Sequence, residues 1–413
     1  MPLTIYITDK RPCYFGNETI RGRVVFESTS ITNLHDIRVT FTGRSKAKVQ
    51  KVKGAGAPAG NYRSRCALFE KEKILLHMNG EALAPGKYEW PFEFEFPTAA
   101  QSSTKWPVKI PYRSDENHPL PPTFAIQAGD EARKVSCAID YRIEAKVMKP
   151  QRGLFPSKAP LFSEEVRLNF MPDFAVSDPR EDDQTVQLYR QQKEQVFNIR
   201  SILLLPENKG RSLSVGEKIR GWFAPGQLPK FSFTASLSYP TRVVQSTPLH
   251  CFLNILPHME DSSVTSHPDI FIKSVSITAI SQTAARAAPS IKGAISAELD
   301  DKIEILSRPS LHMPVSGTVN LGQAFGPLVL RHTDVSFRTF NICRTYRLCT
   351  SISFECAGKT NEFKLVDLPF EVVAKVEGSE KKDLAYQFPR PVEDAPPAYA
   401  SSSVDSLRSV EEV

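Results

Sequence analysis

The chain has 413 residues, more than one hydrophobic core usually holds, so we expect two domains with extensions. Its apolar fraction of 41%, charged fraction of 24% and net charge of +6 are typical of a soluble globular protein, and its 32 prolines favour short strands and many turns. No run of eighteen apolar residues and no signal-peptide pattern occurs, so membrane-spanning and secreted classes are excluded and a cytoplasmic protein is expected.

Alternating apolar and polar side chains dominate residues 1–172, the pattern of half-buried strands. The stretches "IRGRVVFE" and "CAIDYRIEAKVM" place most of their apolar side chains on one side, and "YEWPFEFEFP" turns Phe92, Phe94 and Phe96 to one side. A last strand, "EEVRLNFMP", ends at Pro172. Gly, Pro and Ser clusters separate these strands, so this region is predicted to form a β-sandwich.

One long strand, "DIRVTFTGRSKAKV", combines an apolar face with a basic face. The apolar face consists of Ile37, Val39, Phe41, Ala47 and Val49, and the basic face carries Arg38, Arg44, Lys46 and Lys48. Such a face can bind acidic or phosphorylated cytosolic tails of membrane proteins, or anionic lipid. A solvated strand face with ordinary charge stays open as the alternative. Nucleic acid is not expected, because no recognition helix or aromatic RNP-type strand accompanies the charge.

The composition changes twice further along the chain. Residues 173–195 are charged and polar, as expected of an interdomain linker. Alternation then returns in "FNIRSILLLP", "VGEKIRGWF", "FSFTASLSYP", "IFIKSVSITAI", "TYRLCTSISFEC" and "FKLVDLPFEVVA", which predicts a second sandwich over 196–374. Residues 375–413 are too polar and too rich in proline to repay the entropy of ordering, so we expect a disordered tail. The fold class is therefore all-β, with two consecutive antiparallel sandwiches.

The tail contains the sequence Pro-Pro-Ala-Tyr, in which Pro396, Pro397 and Tyr399 form a candidate ligand for a WW domain. A polyproline II helix has three residues per turn, which places Pro396 and Tyr399 on one face. The prolines can fill an aromatic groove while the tyrosine fills the neighbouring pocket. Chance occurrence is the alternative, although an accessible tail favours a binding role.

Signals for catalysis, cofactors and metals are lacking in the sequence. It has no GxSxG, HExxH or Walker lysine motif, and "GAGAPAG" lacks the spacing of a dinucleotide-binding loop. The seven cysteines form no CxxC pair and are expected to be reduced core thiols. The eight histidines do not cluster along the chain. We therefore expect a protein that is not an enzyme and has no cofactor and no metal site.

Specific segments resemble the α-arrestin family in its fungal or general eukaryotic form. "YEWPFEFEFP" followed by "LPPTF" and "IDYRIEAKV" resembles the second half of an arrestin N-domain. "TYRLCTSISFECAGKTNEFKLVDLPFEV" resembles the closing strands of an arrestin C-domain. The insertion "GAGAPAGNYRSR" and the single Pro-Pro-x-Tyr motif, where family members often carry two, depart from the family pattern.

The resemblance implies an immunoglobulin-like, arrestin-type fold and an adaptor function. Such an adaptor recruits a WW-domain ubiquitin ligase of the HECT class through Tyr399 and its prolines, and it contacts membrane transporters or receptors at the plasma membrane and endosomes. Ubiquitination of the cargo then promotes endocytosis and sorting. Two rivals stay open: a retromer-type sorting subunit with the same double sandwich, and a carbohydrate- or metal-dependent sandwich enzyme.

Overall fold

The structure is a computed structural model that describes residues 2–52, 58–78, 81–102, 106, 108–129, 133–150, 159–172, 189–208, 211, 216, 225–288, 294–331 and 333–375. The first half contains β1 (Leu3–Thr8), β2 (Thr19–Ser28), β3 (Thr32–Asn33), β4 (Asp36–Val52), β5 (Pro58–His77), β6 (Ala82–Leu83), β7 (Gly86–Glu95), β8 (Phe124–Gly129), β9 (Arg133–Met148) and β10 (Pro160–Leu168). The second half contains β11 (Arg190–Arg200), β12 (Lys230–Pro240), β13 (Arg242–Val244), β14 (Phe252–His258), β15 (Ile270–Ala287), β16 (Ile295–Arg308), β17 (Met313–Pro314), β18 (Gly317–Asn320), β19 (Phe337–Arg338), β20 (Ile342–Cys356) and β21 (Lys359–Val373). Short 3-10 turns span Ile202–Leu204, Pro206–Asn208 and Pro225–Gln227, and one short helix, α1, spans Leu321–Phe325.

Two sheets form the first sandwich. One has the order β1-β2-β7, and the other has the order β10-β9-β4-β5 with β8 paired to β9. An aromatic core joins them: the Phe41 ring lies 4.9 Å from that of Phe96, which lies 4.5 Å from that of Phe170. Each ring pair adds about 0.5–1.5 kcal/mol beyond burial of its area. Pro91, which lacks an N–H, is tolerated because β7 is an edge strand.

The second sandwich follows the same logic. A four-stranded sheet, β11-β12-β14-β18, faces a larger sheet in which β13-β21-β20-β15-β16 are neighbours, with β17 on β15 and β19 on β20. Its core includes Phe231, Phe233 and Phe354, each no more than 1% exposed. The pairing of β13 with β21 is parallel, whereas the other strand pairs in the two halves are antiparallel among the described residues.

The predicted all-β, two-sandwich fold is confirmed, and the apolar face of β4 is buried as alternation required. One boundary differs: β11 begins at Arg190, so residues 190–195, expected in the linker, belong to a strand. Pairing with β12 along the whole length of β11 supports the strand, although residues 190–195 are polar and mostly exposed. The rest of the expected linker, 173–188, and the tail from 376 lie outside the described residues, as does most of "VGEKIRGWF".

The two halves meet along a seam in which both long sheets take part. The apolar side of the far half of β4, including Ala47, packs with Ala285 and Ala287 of β15 and Ala297 of β16. Alanine side chains allow the two sheets to approach closely. Because this contact covers one side of β4, only the opposite side of that strand end is left to solvent.

Asn341 connects the halves through both ends of its amide. Its carbonyl oxygen accepts a hydrogen bond from the Ser45 hydroxyl at 2.6 Å, and its NH2 group donates to the Ser64 hydroxyl at 2.8 Å. Ser64 in turn donates to the main-chain oxygen of Arg286 at 2.9 Å. Asn341 and Ser45 are fully buried, so these groups have no water to replace a lost partner.

Arg286 crosses the same seam with its charge largely removed from water. The side chain is 2% exposed, and its guanidinium carbon lies 4.7 Å from the Trp106 ring centre and 4.6 Å from that of Tyr112. Nε donates to the main-chain oxygen of Phe340 at 2.6 Å. Burial lowers the pKa of Arg286, and contact with two aromatic faces offsets part of that desolvation cost.

We predict that Asn341→Ala destabilises the protein by about 1–3 kcal/mol, because it leaves the buried Ser45 hydroxyl without its acceptor. Urea unfolding measures the change. The matched control is Asn61→Ala, at an exposed asparagine of β5, for which a change within about 0.5 kcal/mol is expected. Equal midpoints for the two variants would mean that the amide does not hold the seam.

Candidate functional site: a basic face on the long sheet

The four cations predicted to share a face do lie on the polar side of β4. This strand is central, paired with β5 on one side and β9 on the other. Charged side chains of both neighbours therefore stand beside those of β4, and they decide how much of its charge is free to act on a ligand.

The Arg38 end of this face is neutralised by acidic neighbours. Arg38 donates from Nε to Asp36 at 2.7 Å and forms a second ion pair with Glu72 at 3.2 Å. Hydrogen bonding to Asp36 raises the pKa of Arg38, which keeps it charged. Arg44 lies 4.0 Å from Glu70. Arg38 and Arg44 therefore belong to ion pairs within the sheet.

The opposite end of β4 collects cations from three strands. Lys48 is the direct cross-strand partner of Arg63, and Lys46 that of Arg65, while Lys134 of β9 stands opposite Gln50. Direct partners point to the same side of an antiparallel sheet, so these five cations share one face. We call Lys46, Lys48, Arg63, Arg65 and Lys134 the cationic end.

Few carboxylates balance the cationic end. Asp140 pairs with Lys46 at 3.0 Å, and in the described ranges no carboxylate lies within 4 Å of Lys48, Arg63, Arg65 or Lys134. Arg63, Arg65 and Lys134 are exposed, and Lys46 and Lys48 are half-buried. Like charges directly opposite one another destabilise a sheet by some tenths of a kcal/mol. An anionic ligand laid across the strands would relieve that repulsion.

Three members of the cationic end, Arg63, Arg65 and Lys134, are not among the residues predicted from the sequence. Arg63 and Arg65 belong to "GAGAPAGNYRSR", which departs from the family pattern, but Pro58 already begins β5, and "NYRSR" is part of this 20-residue strand. Alternation in "NYRSR" was a usable signal that both arginines share a face. The pairing partner of that strand could not be read from it. Residues 53–57 lie outside the described part.

The other candidate residues divide between the described and undescribed parts. Pro396, Pro397 and Tyr399 lie outside the described residues, so the WW-ligand interpretation stays a prediction.

Among the helices of the described residues, none has the length and apolar character that a membrane span requires. The seven cysteines are free, and burial raises the pKa of Cys137 and of Cys251 to about 12, so these two thiols stay protonated at neutral pH.

The expectation that the histidines do not cluster is wrong for one pair. His35 and His77, 42 positions apart in sequence, have ring centres 5.0 Å apart. The pairing of the start of β4 with the end of β5 brings them together, which sequence spacing does not reveal. Asp36 lies beside them.

Comparison with known proteins identifies the domain that carries the cationic end. Residues 3–165 match the family model described as "Arrestin (or S-antigen), N-terminal domain". This stretch begins with β1 and ends within β10, three residues before that strand ends, so it covers nearly the whole first sandwich. A search of curated proteins finds no match. The matched domain supports an arrestin-type adaptor in general, a class that is generally non-enzymatic and binds partner proteins and membrane cargo. Through this N-terminal domain, within an all-β double sandwich, the chain is similar to the arrestin family.

Proposed function

We propose that this protein is a trafficking adaptor that brings a WW-domain HECT-type ubiquitin ligase to membrane transporters or receptors. The observation that carries the cargo half of the proposal is the cationic end. Five same-face cations with one carboxylate, on a rigid sheet of an arrestin N-terminal domain, are suited to an acidic or phosphorylated cytosolic tail.

The geometry favours an extended acidic segment as ligand. The five cations are spread over three adjacent strands, which lie about 4.8 Å apart in a sheet. Arg63 and Arg65 can each bind a carboxylate or phosphate with two N–H groups, whereas the lysines act as point charges. Anionic headgroups of the inner leaflet would be attracted by the same charge, which would place the adaptor at the plasma membrane or endosomes.

The ligase half of the proposal rests on the sequence of the tail. Pro396, Pro397 and Tyr399 have the spacing that a WW groove accepts. In this scheme the ligase performs the catalysis, and the adaptor raises the local concentration of cargo around it. A single motif gives one attachment point for the ligase.

A retromer-type sorting subunit is the second candidate, because it would use the same double sandwich. Such a subunit binds a coat partner rather than a ligase. Capture of ligase WW domains by the tail would favour the ligase adaptor, and failure to capture them would favour the sorting subunit.

We predict that reversing the charge of the cationic end weakens cargo binding by at least about 10-fold. The variant carries Lys48→Glu, Arg63→Glu, Arg65→Glu and Lys134→Glu, and the assays are pull-down of acidic peptides and cosedimentation with anionic vesicles. Binding by the unmodified protein should fall steeply with salt, since exposed charges are screened beyond roughly 8 Å at physiological ionic strength.

The matched control applies the same change of charge elsewhere. It replaces four exposed cations of the second half with glutamate: Lys302, Arg331, Lys359 and Lys364. This control should bind nearly as well as the unmodified protein if position matters. Equal losses of binding in both variants would mean that net charge, and not the position of the cations, determines binding. If neither variant lost binding, the face would be an ordinary solvated surface with no role in cargo binding.

We predict separately that Tyr399→Ala weakens binding of ligase WW domains by about 30-fold, since a truncated anchor costs on the order of 2 kcal/mol. Calorimetry with the full chain provides the measurement. Tyr386→Ala, which removes another tyrosine of the tail, should leave the affinity unchanged. If neither substitution changed the affinity for WW domains, the Pro-Pro-Ala-Tyr sequence would not be a ligase-binding motif.

A further inference from the structure

A cluster of three possible metal ligands lies at the Asp36 end of β4, away from the cationic end. His35, Asp36 and His77 each offer one ligand atom, and these atoms all lie within 4.8 Å of one another. Asp36 is 1% exposed, the His35 side chain is 28% exposed, and His77 is exposed. The buried Asp36 therefore lies at the inner side of the cluster, and His77 is accessible to solvent.

Main-chain hydrogen bonds fix the three residues relative to one another. Asp36 and His77 are direct cross-strand partners, so their side chains point to the same side of the sheet. His35 lies in a bend before the strand, which frees its ring from strict alternation. Its N–H donates to the oxygen of Met148 at 2.8 Å, and its own oxygen accepts from the N–H of Met78 at 2.9 Å.

Arg38 holds the carboxylate in place. Its Nε donates to Oδ1 of Asp36 at 2.7 Å and its terminal nitrogen donates to Oδ2, the oxygen that faces Nε2 of His35 at 3.7 Å. Each carboxylate oxygen has two acceptor positions, so Oδ2 can bind a cation while it keeps its bond to Arg38. Outer partners of this kind orient the ligands of metal sites.

We propose that His35, Asp36 and His77 form a binding site for a divalent transition-metal ion of the Zn²⁺ type. Two imidazoles and one carboxylate are a ligand set that suits Zn²⁺, and three protein ligands leave a fourth position for water. With bonds of about 2.0–2.1 Å, tetrahedral ligands stand roughly 3.3 Å apart. The distance of 3.7 Å between Nε2 of His35 and Oδ2 of Asp36 is close to this value. Rotation of the exposed His77 ring would bring its ligand atom to a similar distance from the other two.

The surrounding charges favour a cation once both imidazoles are neutral. Asp36 and Glu72 provide two negative charges against the one positive charge of Arg38. Lys146, the cross-strand partner of Arg38, is balanced by Glu144 at 3.0 Å. The immediate surroundings therefore carry a net negative charge, which reduces the electrostatic cost of bringing a dication beside a guanidinium.

A bound ion would join the start of β4, at His35 and Asp36, to the last residue of β5, His77. These ends are 42 positions apart in sequence, so the ion closes the long β4–β5 hairpin at its open end. Metal binding would thus stabilise the sheet that carries the cationic end without touching that end.

The test is calorimetric titration of the chelator-treated full chain with Zn²⁺. One equivalent should bind to the unmodified protein, and the double variant His35→Gln/His77→Gln should weaken that binding by at least about 100-fold, because two of three ligands are gone. Zn²⁺ should also raise the unfolding temperature of the unmodified protein and not that of the variant. Equal unfolding temperatures without metal would establish that the variant folds.

The matched control is His250→Gln/His267→Gln, which removes two exposed histidines elsewhere and should bind Zn²⁺ as the unmodified protein does. Titration with Co²⁺ in place of Zn²⁺ distinguishes coordination by histidine and aspartate from coordination by cysteine. The proposed site predicts an absorption spectrum without a thiolate-to-metal charge-transfer band. Absence of saturable Zn²⁺ binding would overturn the proposal, as would binding that persists in the His35/His77 variant.

Discussion

The arrangement of this molecule depends on the burial of Arg286 between two aromatic rings at the seam. A guanidinium taken out of water carries a desolvation cost, which explains why burial lowers its pKa. Trp106 and Tyr112, both from the first half, offset that cost only when the halves are in contact. Separation of the halves would expose apolar alanines of both sheets and would break the bonds of Asn341. The seam is therefore a specific contact between two otherwise complete sandwiches.

The seam also determines which surface is available for binding. It covers the apolar side of the far half of β4, so the polar side of the same strand end faces solvent. Here the neighbours of β4 bring arginines and a lysine, whereas at the other end they bring Glu70 and Glu72. One strand thus has a neutralised end and a cationic end. The difference comes mainly from the composition of β5 and β9, since β4 carries basic residues at both ends of its polar face and supplies only Asp36 as a balancing carboxylate.

The two proposed sites use the same sheet in different ways. At the cationic end, charge is exposed and weakly balanced, as suits a reversible, salt-sensitive partner. At the His35 end, a nearly buried carboxylate is fixed by an arginine, and imidazoles flank it, as suits an ion that needs directed ligands. Both depend on pairing between β4 and β5, whose register places Lys48 opposite Arg63 and Asp36 opposite His77.

Alternation in the sequence was sufficient to predict strands, the all-β class, two sandwiches and the buried residues of β4, because the side to which a side chain points is a local property of an extended chain. The identity of neighbouring strands and their register are set by contacts between distant segments, and alternation does not encode them. The tertiary structure alone therefore decided that Glu72 and Glu70 of β5 pair with Arg38 and Arg44, that Arg63, Arg65 and Lys134 join Lys46 and Lys48, and that His35 meets His77. Each candidate site combines side chains from different strands: the cationic end from β4, β5 and β9, and the metal-ligand cluster from the start of β4 and the end of β5. Neither site can therefore be recognised until the order and register of these strands are known.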